Sequence, residues 1–292
     1  MNNRGILFNM GGWSQFFFLC FLTFSGLVIA SFVLLLCMDI EEMMQSPNSM
    51  RLAQTIQSVC MFLLPALAFS YLCGGSPKVY LKTDKVQNLS FLLLAIVLIV
   101  AIQPVVNTIS YYNHQIILPD SFASFEQWMK GSEQSAEKTV RLLFSDKSIT
   151  GLVFNLLVIA VMAGLAEEVF FRGCLQQIMQ KIFLNTHVAI WVTAVIFSII
   201  HFQFYGFFPR VILGALLGYL FVWSGNIWVP VIVHTIHNGL NVVLAYVFYG
   251  TPEYEQLENF RLDQNIILFA LSLLSTIFII HFLYKKAIRK DQ

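Results

Sequence analysis

The sequence predicts an all-α, polytopic membrane protein with about eight transmembrane helices. Hydrophobic residues make up 58% of the chain and charged residues only 11%, against roughly 45–50% and about 25% in soluble domains. Mean hydropathy is +0.73. Apolar runs near the length of about 20 residues that a bilayer crossing requires recur at 15–38, 55–73, 88–108, 149–170, 187–203, 209–224, 227–249 and 265–284.

The first run is too long for a signal-peptide core and lacks a small-x-small cleavage site, so it is expected to stay as a helix. The link after the first run carries Asp39, Glu41 and Glu42, whereas the link after the second carries Lys78, Lys82 and Lys85. The tail adds Lys285, Lys286, Arg289 and Lys290, and the link before the last run holds Glu253, Glu255, Glu258 and Asp263. An even number of spans and the preference of lysine and arginine for the inner side place both termini in the cytoplasm. Trp191, Trp223, Trp228 and Tyr284 fall near span ends, where interfacial aromatics or ordinary packing residues both belong.

The long link 111–148 sets Phe125, Trp128, Met129, Val140, Leu143 and Phe144 among charges. That pattern predicts one or two helices on the membrane surface, either shaping substrate entry or simply connecting spans. With no internal repeat, residues 1–292 form a single integral membrane domain. A net charge of +1 gives no reason to expect a nucleic-acid partner, because phosphate binding needs a basic patch and the lysines cluster only at segment ends. The five cysteines contain no CxxC pair and lie mostly in apolar runs, which makes them small buried hydrophobes rather than a disulfide or zinc framework.

Against this background the segment Ala166-Glu-Glu-Val-Phe-Phe-Arg-Gly173 stands out. An ionisable side chain at the centre of a membrane helix costs about 2.5–3.5 kcal/mol on insertion scales, so three together must pair and point to function. Residues four apart share a helical face, so Glu168 and Arg172 form an acid-first pair while Glu167 is rotated by about 100°. One carboxylate is neutralised and the other is left to act as a general base; the structural alternative is a pair that only fixes helix packing.

If the chain turns near Leu184-Asn185-Thr186, antiparallel helices bring Glu167 and His201 to similar depth, roughly 25 Å from the turn at the 1.5 Å helical rise. Phe197, one turn before His201, is placed to pack on the imidazole. Farther on, His234, His237, Asn238 and Asn241 share one stripe of the seventh span. Such a stripe faces protein or water. It can donate hydrogen bonds to an oxyanion, or serve as interhelical glue worth about 0.6 kcal/mol per pair.

Together Glu167-Glu168-x-x-x-Arg172, Phe197-x-x-x-His201 and His234-x-x-x-Asn238 resemble the signature of the CAAX prenyl protease and bacteriocin-processing family of intramembrane glutamic endopeptidases. The likeness covers about residues 115–245, a protease core with its site between helices four, five and seven. It implies that Glu167 with His201 activates a water, that Glu168 and Arg172 shape the carboxylate site, and that His234 with Asn238 stabilises the oxyanion. A second frame, His237-x-x-x-Asn241, also fits the third motif; His234 is preferred because it continues the apolar run Val229–Val233.

No cofactor is expected. Zinc or another divalent metal remains the alternative, with Glu167, His201 and His234 as its ligands, although the His-Glu-x-x-His zinc motif is absent. The expected substrate is a membrane-associated protein or peptide; the family acts on prenylated tails in eukaryotes and is associated with bacteriocin leader processing or self-immunity in bacteria. A non-proteolytic scaffold that binds a partner protein and a proton-coupled transporter are the competing readings. The compact chain and the absence of a retention signal at its end point to a bacterial inner membrane.

Overall fold

A computed structural model describes the chain except for residues 1–4, 85, 87, 255–261, 263, 264 and 289–292. Lys85, Glu255, Glu258, Asp263, Arg289 and Lys290 therefore lie outside the described residues, as does the side chain of Glu42. The main helices are α1 (Gly12–Cys37), α2 (Pro47–Gly74), α3 (Leu89–His114), α4 (Ala123–Ser145), α5 (Ile149–Phe183), α6 (Thr186–Ile199), α7 (Phe207–Ser224), α8 (Trp228–Phe248) and α9 (Ile266–Ile288). No strand occurs among the described residues. Among the described residues, seven helices are long and apolar enough to cross a membrane. The protein is an all-α integral membrane protein.

The run 187–203 folds as α6, only 14 residues long and about 21 Å at the helical rise. It is shorter than the sequence pattern suggests because the chain leaves the helix after Ile199 and turns through 200–206, with Phe202 at φ 54° and a short 3-10 turn at Phe204–Gly206. The turn at its other end is the expected one. Leu184 is left-handed at φ 51°, and the Asn185 side chain caps α6 by accepting the Val188 N–H at 3.1 Å.

Both ends of the described chain lie on one face of the bundle. The Leu7 N–H donates to the Leu72 carbonyl at 2.9 Å, and Lys181 Nζ donates to the Met10 carbonyl at 2.6 Å. On the same face Asn226 donates to the Asp84 carbonyl at 2.6 Å, and Lys286, near the end of α9, reaches Ser90 at 2.6 Å. The surface helix α4 belongs to the other face. Its Trp128 packs on Phe204 with ring centroids 5.4 Å apart, so it braces the turn that follows α6. Asn113, at the end of α3, clamps that turn by donating to the Phe204 carbonyl and accepting the Phe208 N–H, both at 2.9 Å.

Departures from regular helix shape the middle of the molecule. Helix α5 contains wide π turns at Leu156–Met162 and Phe171–Leu175, which flank the Glu167–Glu168 segment. Pro104, which lacks an N–H, follows an interruption of α3 at Ile102, and there the Gln103 side chain donates to the Ile99 carbonyl at 2.6 Å. Close helix approach then depends on small residues. A side chain at Gly164 would meet Thr235 Oγ1 at 2.6 Å and its backbone N at 3.1 Å, so this glycine lets α8 settle against α5 beside His234.

A polar staple joins α2, α4 and α5 near the opposite face. The buried Arg51 donates to Asn155 Oδ1 at 2.8 Å, to Asn48 Oδ1 at 2.6 Å and to Asp146 Oδ2 at 3.0 Å. Hydrogen bonds from the hydroxyl and amide of Ser148, together with Arg51, hold the Asp146 carboxyl below its ordinary range. A group whose pKa is depressed in the folded state contributes stability above its unfolded pKa, about 3.9, and loses it as pH falls through the lower folded value. Asp146→Asn is accordingly expected to unfold at a lower temperature than wild type at pH 7. The gap should close on acidification below about pH 4; thermal melts in detergent from pH 7 to pH 3 measure it, and a pH-independent gap would contradict the assignment.

Candidate active site

The central carboxylates sit on the stretch of α5 between its two π turns. Glu168 and Arg172 are fully buried, with Nη1 of the arginine 2.6 Å from Oε1 of the glutamate. Arg172 also donates through Nη2 to the Gly214 carbonyl at 2.7 Å. A side chain at Gly214 would press on Ala194 at 3.2 Å, so glycine there lets α7 approach α6 and brings its backbone within the arginine's reach. The guanidinium lies 5.2 Å from the Phe197 ring centroid.

His234 occupies the notch between the two glutamates. Its Nδ1 is 2.7 Å from Glu168 Oε1 and its Nε2 is 3.9 Å from Glu167 Oε2. Because Glu168 Oε1 also takes the Arg172 hydrogen bond, the carboxylate accepts from both sides and fixes Nδ1 as the protonated nitrogen of His234. Glu167 is less deeply held, with 17% of its side chain exposed. It faces a cavity of about 630 Å³.

His201 reaches the same cavity from the turn after α6. Its Nδ1 lies 2.7 Å from the Phe197 carbonyl, which can only accept, so Nδ1 carries the proton and Nε2 is left with a lone pair. The Phe197 ring packs on His201 at 4.8 Å and on His234 at 6.1 Å, so this one aromatic spaces the two imidazoles. Asn238 also lines the cavity, but one amide hydrogen goes to the Ile159 carbonyl at 3.0 Å. Ile159 lies in the first π turn of α5, where the usual ladder is interrupted.

His237 and Asn241 line the cavity farther along α8. His237 Nδ1 is 3.1 Å from Gln103 Nε2, and its Nε2 is 3.4 Å from Asn241 Nδ2. Neither contact involves the glutamates, whereas His234 contacts Glu168 at 2.7 Å and stands 3.9 Å from Glu167.

Sequence reasoning passed over Gln103, Gln203 and Arg210, all of which line the cavity. Arg210 donates to Gln203 Oε1 at 2.8 Å and to the Gln203 carbonyl at 3.2 Å. A lone arginine inside the apolar run 209–224 was the available signal.

Residues 149–240 match the family model described as type II CAAX prenyl endopeptidase Rce1-like. Over this stretch the chain is similar to that family. The stretch runs from the start of α5 into α8 and contains all three motifs, and it accords with the resemblance read from Glu167 to Asn238. The chain is also 35% identical over 98 residues, 32% of its length, to an uncharacterised Bacillus subtilis (strain 168) protein, YpbD. That stretch covers 45% of YpbD, so the likeness spans about half of the relative. No solved structure matches the chain.

Glu168 takes His234 Nδ1, which leaves Nε2 toward Glu167 at 3.9 Å. Among the described residues no three His, Cys, Asp or Glu side chains group as metal ligands.

Proposed function

We propose that this protein is an intramembrane endopeptidase that hydrolyses a peptide bond of a membrane-associated protein or peptide, with Glu167 as general base. The observation that carries the reading is the convergence of Glu167, His201 and His234 on one cavity inside an apolar bundle, with His234 docked on the Glu168–Arg172 pair. The Rce1-like match over residues 149–240 supports the same class of chemistry.

In this mechanism Glu167, assisted by the Nε2 lone pair of His201, removes a proton from water as its oxygen attacks the peptide carbonyl. The negative charge formed on the carbonyl oxygen is met by hydrogen bonds from His234 and from the uncommitted amide hydrogen of Asn238. His234 donates Nδ1–H to Glu168, so donation to the oxyanion uses a second proton on Nε2, an imidazolium flanked by two carboxylates. The C–N bond then breaks, and the proton held by Glu167 passes to the leaving nitrogen. Glu168 and Arg172 position His234 and do not touch the reacting atoms.

Both described ends and the flanking lysines share one face, which supports a topology with both termini cytoplasmic. The reading is tested by comparing membrane peptide fragments from cells that express wild type or Glu167→Ala at equal levels. Fragments unique to wild type are expected. Indistinguishable inventories would overturn the protease reading in favour of a scaffold.

A further inference from the structure

The catalytic cavity has a sidedness that follows from where its walls come from. Its lining includes Ser110 at the end of α3, Val140 and Phe144 on the surface helix α4, Gln203 in the turn after α6, and Tyr254 in the link after α8. All of these belong to the face opposite the two described ends. No lining residue comes from the links at 75–88, 181–186 or 224–227.

Depth along α8 agrees. This helix starts at Trp228, whose backbone neighbour Ile227 donates to the Lys82 carbonyl at 3.1 Å on the lysine-bearing face. From His234 the lining continues through Asn238 and Asn241 to Ala245, which is about 16 Å farther from that face at the helical rise. Asn241 is exposed, so the cavity meets the surface on this side. Toward the lysine face the site is stopped by buried side chains, among them Phe171, Arg172, Leu175 and Ile227.

Charge then orients the two faces. The described residues of the first face carry Lys78, Lys82, Lys181, Lys285 and Lys286 against the single acid Asp84. The opposite links carry Lys130, Lys138, Arg141 and Lys147 on or just after α4, beside Asp39, Glu41, Asp120, Asp146 and Glu253. Among the short links the lysines fall on the first face, with no lysine or arginine in 38–46 or 200–206 on the other, and that bias marks the cytoplasmic side.

We infer that the cavity opens to the extracytoplasmic side of the membrane, so the segment it cuts is presented from outside the cytoplasm, in a membrane-anchored or exported polypeptide. The nature of the substrate rests on the protease reading; the direction of the opening does not. An apolar anchor would lie between helices while the scissile segment enters past α4 and the α8 end.

Single cysteines placed in a full-length variant with Cys20, Cys37, Cys60, Cys73 and Cys174 changed to alanine test the direction. In intact cells a membrane-impermeant maleimide is expected to label Ser110→Cys in the cavity and Glu137→Cys on α4, with Lys78→Cys labelled only after permeabilisation. A green fluorescent protein fused to the C-terminus of the unsubstituted chain is expected to fluoresce, as it does only when folded in the cytoplasm. Labelling of Ser110→Cys only after permeabilisation, its failure to label in either condition, or a dark fusion at normal protein levels would overturn the inference. Loss of the protease reading would instead show as unchanged peptide inventories, whatever the labelling pattern.

Discussion

Glu167→Gln is expected to lower peptide cleavage by about 10²–10⁴-fold, the usual contribution of a positioned general base, while the thermal unfolding midpoint stays near that of wild type. The two expectations come from one geometry. Glu167 keeps part of its side chain exposed to the cavity, and its nearest ionic neighbour, His234 Nε2, is 3.9 Å away. It is thus poorly tied into the packing, and glutamine preserves its shape and volume. What glutamine cannot do is take a proton from water. Initial rates on a membrane-protein fraction together with melts in detergent read both quantities, and a large fall in stability with cleavage retained would assign Glu167 to structure instead.

Glu168→Leu is expected to fail in the opposite order, with stability lost first. The carboxylate is fully buried and compensates both Arg172 at 2.6 Å and His234 at 2.7 Å. Removing one partner of a buried ion pair leaves an uncompensated charge and typically costs about 3–5 kcal/mol, whereas replacing both partners by apolar residues is often close to neutral. The double variant Glu168→Leu with Arg172→Met should therefore melt at a higher temperature than Glu168→Leu alone. It should still be inactive, because His234 has lost the acceptor that fixes its ring. A double variant no more stable than the single one would show that Arg172 is satisfied mainly by the Gly214 carbonyl, 2.7 Å away.

The parts of this site set by local rules could be read from the chain. The four-residue spacing of Glu168 and Arg172 is enough to pair them, and Leu184-Asn185 shows a helix stop followed by a capping residue. The composition of 111–148 likewise anticipates the amphipathic α4. What could not be read depends on contacts distant in sequence or on helix irregularities with no residue signature. The sequence stripe groups His234 with Asn238, yet His234 is drawn onto Glu168 because Gly164 admits α8, and Asn238 spends an amide hydrogen on a carbonyl in a π turn. His201 was read inside a span, but α6 ends at Ile199 and a turn braced by Asn113 and Trp128 carries the imidazole. Arg210 was hidden by the apolar average of its run, since hydropathy windows dilute a single charge.

The central claim is that this membrane-embedded carboxylate drives hydrolysis of a peptide bond. Purified wild type and Glu167→Gln, each incubated with membrane proteins in ¹⁸O-labelled water containing a strong chelator, give the most direct test. New peptide C-termini carrying ¹⁸O are predicted with wild type and not with the variant. Labelled termini formed equally by both proteins, formed only after zinc is restored, or absent altogether would contradict the account.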